Sequence, residues 1–118
     1  MENASFITIE DGDDLIVSFA IPLGEPGDVK SLTLLRTPKY EFILDESERG
    51  VTVSFDDFAD DENEVVKQVV VEGDVVTITT NFRTYRVSVR DVDDVEIEQC
   101  KRILKKMNYD GRFGLKIV

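Results

Sequence analysis

Residues 1–90 of the chain consist mainly of short runs in which apolar and polar residues alternate. This alternation has the two-residue period of a β-strand that buries one face and exposes the other. Turn-forming residues separate the runs, among them Gly12, the segment 24–28 and the pair Gly73-Asp74. The pattern therefore predicts a domain built mainly from short strands.

The strongest predicted strands bury β-branched and aromatic residues on one face. The first two runs are expected to pair as a hairpin, and the three runs between Val65 and Arg90 are expected to form an antiparallel meander. In chain order the predicted strands are residues 6–9, 15–21, 32–34, 51–55, 65–72, 75–80 and 84–90, with a last one at 113–117.

Residues 40–45 are open to two interpretations. Pro38 ends the preceding strand, and Tyr40, Phe42 and Leu44 then alternate with Glu41, Ile43 and Asp45. A strand is slightly favoured over a short helical turn, and in that strand these three side chains would share a face.

The period changes to a helical one after Arg90. Asp93 is a suitable N-cap, and Glu98 is expected to pair with Arg102 one turn later. Cys100 lies in the apolar stripe, where a small buried side chain is expected rather than a reactive thiol. The stripe consists of Ile97, Cys100, Ile103, Leu104 and Met107, and the cations Lys101, Arg102, Lys105 and Lys106 occupy the opposite face.

Together these elements predict one α+β domain spanning residues 1–118. Its sheet is expected to be mostly antiparallel, with about seven to nine short strands, in the form of an open barrel or a strongly bent sheet. The C-terminal amphipathic helix is expected to pack across this sheet and to be followed by a short strand.

The residue inventory argues against most familiar catalytic sites. Histidine is absent, which excludes the serine and cysteine triads that depend on it and nearly all zinc sites. No glycine-rich nucleotide-binding motif is present. The sequence therefore predicts no catalytic residue, no metal ligand and no cofactor.

Two features of the sequence indicate the cellular compartment. The chain has a single cysteine, and it has no apolar segment long enough to span a membrane. One cysteine cannot form an intramolecular disulfide, and no signal-peptide pattern precedes the first strand. We therefore expect a cytoplasmic protein without membrane contact.

The net charge of −11 comes from 25 acidic and 14 basic residues. Such a charge repels nucleic-acid backbones and favours encounter with basic proteins. It is unevenly distributed along the chain, because residues 99–118 carry six basic residues and only one acidic residue. The predicted molecule thus has an acidic body and one basic ridge.

The densest acidic segment, residues 56–64, is predicted to be a solvated loop that contacts a partner. The resulting hypothesis is a small acidic intracellular protein-interaction module, such as an inhibitor or immunity-type protein, that binds a basic protein surface. One alternative is a carboxylate-based enzyme or divalent-metal-binding domain, and another is a homo-oligomeric structural protein. The predicted partner-binding residues are Asp56, Asp57, Asp60, Asp61, Glu62 and Glu64.

Overall fold

Nine strands in two sheets and one α-helix make up the fold, in a computed structural model that describes residues 1–24, 27–58 and 63–118. The helix is α1 (Asp94–Met107), and three short 3₁₀ helices span Pro38–Ile43, Glu46–Glu48 and Asp56–Phe58. The strands are β1 (Glu2–Asn3), β2 (Phe6–Asp11), β3 (Leu15–Pro22), β4 (Val29–Arg36), β5 (Thr52–Phe55), β6 (Val66–Glu72), β7 (Val75–Thr80), β8 (Thr84–Ser88) and β9 (Gly114–Ile117).

The first sheet is antiparallel throughout, in the order β2-β3-β4-β5. Its register places Ile7 opposite Phe19, Phe19 opposite Leu32 and Leu32 opposite Phe55. These four residues form a buried apolar row across the whole sheet, as cross-strand pairing of alternating residues requires. The hairpin predicted for the first two runs is confirmed.

The second sheet is mixed, in the order β1-β8-β7-β6-β9. Its centre is the predicted antiparallel meander of β6, β7 and β8. Both edge strands are parallel to their neighbours, β1 to β8 and β9 to β6. The prediction of an antiparallel sheet is therefore only partly correct, because alternation along a strand carries no information about the direction of its neighbour.

The two sheets do not close into a barrel, and the apolar residues between them and α1 form one buried cluster. Phe19 and Leu32 of the first sheet, Ile78 of the second and Ile103 and Leu104 of α1 are all fully buried in it. One core thus supports both sheets and the helix.

Helix α1 follows its sequence prediction closely. The side chain of Asp93 accepts a hydrogen bond from the backbone N–H of Val95, which caps the helix. Cys100 is buried, and burial raises the pKa of its thiol to about 12. Glu98 pairs with Lys101 at 3.2 Å, three residues on, rather than with Arg102. In the part of the chain that the structure describes, no helix has the length and apolar content needed to cross a membrane.

Residues 40–45 do not form a strand, so the favoured interpretation of this segment is wrong. They belong mainly to the Pro38–Ile43 3₁₀ helix, in which Pro38 occupies the first turn. Glu41 is the buried residue of the helix, whereas Phe42 and Ile43 face solvent. Glu41 points inward because the buried Arg36 needs a counterion. Leaving that charge unpaired would cost more than burying Phe42 would gain.

Candidate interaction surface

The acidic stretch predicted to bind a partner divides into three parts. Asp56 and Asp57 lie exposed in the 3₁₀ helix that follows β5. Asp57 pairs with Lys30 at 2.9 Å, and Asp56 accepts a hydrogen bond from the backbone N–H of Ser31 at 3.3 Å. Both carboxylates therefore remain accessible at the surface while contacting β4. The predicted contacts Asp60, Asp61 and Glu62 lie outside the described residues.

Glu64 occupies a different environment, because only 3% of its surface is exposed. Its carboxylate accepts hydrogen bonds from the hydroxyls of Tyr85, at 2.8 and 2.9 Å, and of Thr80, at 2.7 Å. The guanidinium of Arg83 adds an ion pair at 3.0 Å. A carboxylate held in this way stabilises the interior of the protein and is not exposed to a partner.

Aromatic side chains complete the surroundings of Glu64. Phe55, Phe58 and Tyr85 contact one another with ring centroids 5.6 to 6.3 Å apart. The guanidinium of Arg83 lies 3.7 Å from the centroid of Phe58. Burial and the adjacent Glu64 carboxylate raise the pKa of Tyr85 to about 12, so its hydroxyl stays protonated and donates at neutral pH. This cluster joins the end of β5 to β8.

A second buried ionic cluster is centred on Arg36 at the end of β4, which is 1% exposed. Its guanidinium donates two parallel hydrogen bonds to Glu41, at 2.8 and 2.9 Å, and two to Asp110, both at 2.8 Å. The carbonyl of Met107 accepts another at 2.7 Å, and the ring of Tyr109 lies 4.3 Å from the guanidinium carbon. We call Arg36, Glu41, Tyr109 and Asp110 the Arg36 cluster. All five N–H groups of Arg36 thus have acceptors.

The members of the Arg36 cluster stay ionised because they stabilise one another. Burial alone would raise the pKa of Glu41, but hydrogen bonds from Arg36 and from the backbone N–H of Gly50 outweigh it and lower that pKa. The hydrogen bonds from Arg36 hold the pKa of Asp110 far below its usual value. Burial opposes the charge on Arg36, and the two carboxylates more than compensate, so the pKa of Arg36 is raised. At neutral pH the cluster contains one cation and two anions.

The Arg36 cluster fixes the segment 38–49 against the rest of the fold. Glu41 ties the first 3₁₀ helix to the end of β4 and, through Gly50, to the start of β5. Arg112 bonds to Asp110 at 2.9 Å and to the backbone carbonyl of Glu46 at 2.8 Å, which holds the second 3₁₀ helix. The segment 38–49 is therefore held in a defined position on the surface and is not a loose loop.

The outer side of the segment exposes large apolar side chains. Phe42 is 76% exposed and Ile43 is 70% exposed, and Tyr40 and Tyr109 are each more than half exposed. Among the described residues, the run from Phe42 through Leu44 is the only place where exposed large apolar residues are consecutive in sequence. We call Tyr40, Phe42, Ile43 and Tyr109 the apolar surface.

Carboxylates flank the apolar surface. The exposed Asp45, Glu46 and Glu48 directly follow it in the chain. Two more carboxylates contact the residues just before it: Asp13 pairs with Lys39 at 3.1 Å, and Asp14 accepts a hydrogen bond from the hydroxyl of Thr37 at 2.7 Å. The apolar side chains thus emerge within a predominantly anionic rim.

Sequence reasoning missed the apolar surface because it read residues 40–45 as a strand. The alternation there predicts that Phe42 faces inward with Tyr40 and Leu44, whereas in the 3₁₀ helix Glu41 takes the inward position. The sequence did contain a local signal for this helix. Pro38 suits the first turn of a helix, and a proline keeps the residue before it in an extended conformation, which favours a helix start at that point.

The described residues contain no group of three or more carboxylate or cysteine side chains arranged to hold a metal ion. Comparison of the chain with protein-family models, with curated proteins and with solved structures found no match.

Proposed function

We propose that the chain is a small acidic protein-interaction module that binds a basic surface of a partner protein through the apolar surface and its anionic rim. The observation that carries this proposal is the exposure of Phe42 and Ile43 on a segment that the buried Arg36 cluster holds in place. Aromatic and aliphatic side chains that fill a pocket on the partner are a common kind of interface anchor. A pre-positioned segment also loses little conformational entropy when it binds.

The rim defines the chemistry of the partner. A complementary surface would present an apolar pocket for Phe42 and Ile43, surrounded by lysine and arginine side chains that meet Asp45, Glu46 and Glu48. The net charge of −11 would speed encounter with such a surface. Asp56 and Asp57 contact Ser31 and Lys30 at the start of β4, the opposite end of that strand from Arg36, so they add to the net negative charge but not to the rim.

A second copy of the chain is a poor occupant of the apolar surface. Two copies meeting there would bring their anionic rims together, and like charges across an interface oppose association. A basic partner inside the cell is favoured instead.

A module of this kind could also inhibit its partner. It would do so if the basic surface that it covers is the one with which the partner binds an anionic substrate such as nucleic acid.

The proposal can be tested by selecting binders from a displayed library of random peptides. We expect the peptides enriched on the wild-type protein to combine apolar residues with lysine or arginine. The double variant Phe42→Ser/Ile43→Ser should bind those peptides at least about tenfold more weakly, because each lost anchor typically contributes more than 1 kcal/mol. Isothermal titration of the purified protein with synthetic copies of the peptides measures the difference.

The matched control is Val95→Ser, since Val95 is 64% exposed but lies on α1, away from the apolar surface. It should leave peptide affinity unchanged, and circular dichroism should show all variants folded. Equal binding by the double variant, or affinities that do not change with ionic strength, would contradict the proposal.

A further inference from the structure

The two sheets have four edge strands, and three of these edges are short or covered. On β2 the backbone N–H of Ile7 donates to the Glu96 carboxylate of α1 at 2.7 Å. The outer side of β5 bonds to the chain entering β6, where Val53 donates to the Glu64 carbonyl at 2.9 Å. The edge strand β1 is only two residues long. Protection of this kind is how native proteins prevent unwanted strand pairing.

The fourth edge strand, β9, is open on its outer side. It is the last strand of the second sheet, and the only described strand that pairs with it is β6. The N–H of Val118 donates to the carbonyl of Val71 at 2.8 Å. Because alternate residues of a parallel strand bond to the same neighbour, the peptide groups of Leu115 and Ile117 face away from β6. These groups provide a template for one more strand.

A shallow groove of about 350 Å³ lies beside this open edge. The half-buried apolar residues Leu115 and Ile117 form one wall, and the polar residues Lys105 and Asn108 at the end of α1 form the other. Residues on adjacent strands share a face with their direct neighbours, so every second side chain of an added strand would enter this groove. On the other face of β9, Lys116 is exposed.

The charges around the groove distinguish between possible occupants. Lys105 and Lys116 are both exposed, and neither pairs with a carboxylate among the described residues. A second copy pairing its own β9 here would oppose lysine to lysine, which is unfavourable for cross-strand neighbours. An acidic extended segment would instead set carboxylates beside Lys116.

We propose that the outer edge of β9 and the groove beside α1 bind an extended acidic segment of a partner protein as an additional strand. Its apolar side chains enter the groove between Leu115, Ile117 and α1, and its carboxylates, on the opposite face of the added strand, meet Lys116. The main-chain bonds to Leu115 and Ile117 provide affinity, and the groove selects alternate side chains. This site is separate from the apolar surface and does not depend on the function proposed for it.

The probe is a capped synthetic peptide in which glutamate and valine alternate, titrated into the complete protein. We expect saturable binding and at least about tenfold slower hydrogen exchange at the amides of Leu115 and Ile117, because new hydrogen bonds protect them. The amide of Lys116, which already faces β6, should change little. Nuclear magnetic resonance resolves these three amides individually.

Two N-methylated forms of the peptide provide the decisive comparison. All valine amides of an extended strand point to one side and all glutamate amides to the other, so only one set can face β9. Methylation of that set should weaken binding by about tenfold or more, and methylation of the other set should have little effect. Lys116→Glu should weaken binding about threefold to tenfold, whereas Arg90→Glu, a charge-matched change elsewhere on the surface, should not.

Several results would overturn the proposal. These are an absence of saturable binding, equal binding of both methylated peptides, and unprotected Leu115 and Ile117 amides at saturation. Equal binding of a peptide in which lysine replaces glutamate, or of single-stranded DNA, would show that acidic strand addition is not the basis of recognition. Protection of the same amides by concentrating the protein alone would assign the edge to a second copy. The Phe42→Ser/Ile43→Ser variant should bind the acidic peptide normally, so failure at either surface can be told from failure at the other.

Discussion

Replacing Arg36 with methionine is expected to lower the free energy of unfolding by about 3 to 5 kcal/mol, because the change leaves two carboxylates without their buried counterion. Glu41 suffers most, since its side chain is only 8% exposed, whereas that of Asp110 is 30% exposed. Methionine keeps much of the volume of the arginine stem, so the effect reports the charge more than a cavity. Urea denaturation at neutral pH measures the loss.

The double variant Arg36→Met/Glu41→Met should be less destabilised than Arg36→Met alone, because it also removes the more deeply buried unpaired charge. Lys39→Met is the matched control. It removes a cation from a pair with Asp13 in which both side chains are more than half exposed, and exposed pairs contribute little. A double variant as unstable as the single variant, with an unaffected control, would mean that packing rather than charge makes Arg36 important.

The same variant should show an altered pH dependence. In the wild-type protein the pKa values of Glu41 and Asp110 are lowered, so their contribution to stability is present above the unfolded pKa of about 4 and is lost as pH falls through the folded values. Without Arg36, burial instead raises the pKa of Glu41, and protonation then relieves the unpaired charge. The stability deficit of Arg36→Met should therefore shrink as pH falls from neutral towards about 4. A deficit that is constant over this range would contradict the electrostatic explanation.

Replacing Glu64 with leucine is expected to cost about 2 to 4 kcal/mol of stability, because the buried hydroxyl of Tyr85 loses its acceptor and the ion pair between Glu64 and Arg83 is removed. Thr80 is affected less, since its hydroxyl also lies 3.2 Å from the backbone carbonyl of Arg83. Thermal and urea unfolding both measure this effect.

Asp57→Leu is the control for Glu64→Leu, because it changes an acidic residue of the same stretch whose side chain is 47% exposed. Its effect on stability should be small, since Asp57 is half exposed and Lys30 keeps a second carboxylate partner in Glu2 at 3.4 Å. If the two substitutions destabilised the protein equally, the distinction drawn between the surface and interior carboxylates of this stretch would be wrong.

The sequence predicted those parts of the fold that depend on neighbours along the chain. The β2–β3 hairpin, the meander of β6 to β8 and α1 each follow from a local period and a local turn or cap. The parallel edges were not predicted, because the pairing of β9 with β6 joins segments more than forty residues apart. Nothing in the residues of β9 specifies the direction of its neighbour.

The candidate site was predicted less well, for a related reason. Exposure of Asp56 and Asp57 agrees with the expected solvated acidic segment. Glu64 bonds to Thr80 and Tyr85, which lie 16 and 21 residues further along the chain. Glu41 bonds to the nearby Arg36, but Arg36 itself is held by Asp110, 74 residues away. A buried carboxylate and an exposed one have the same local pattern, so only the assembled fold distinguishes them.

The placement of the edge strands affects the order in which the protein can fold. The first sheet is formed entirely from residues 6–55, whose consecutive strands pair with one another. By contrast, Glu2 in β1 lies opposite Val87, and β9 is reached only near residue 114. Because distant contacts form more slowly than local ones, the first sheet can form early, while the second sheet stays incomplete until β1 and β9 have docked. Pulsed hydrogen exchange during refolding should therefore protect β3 and β4 before β1 and β9.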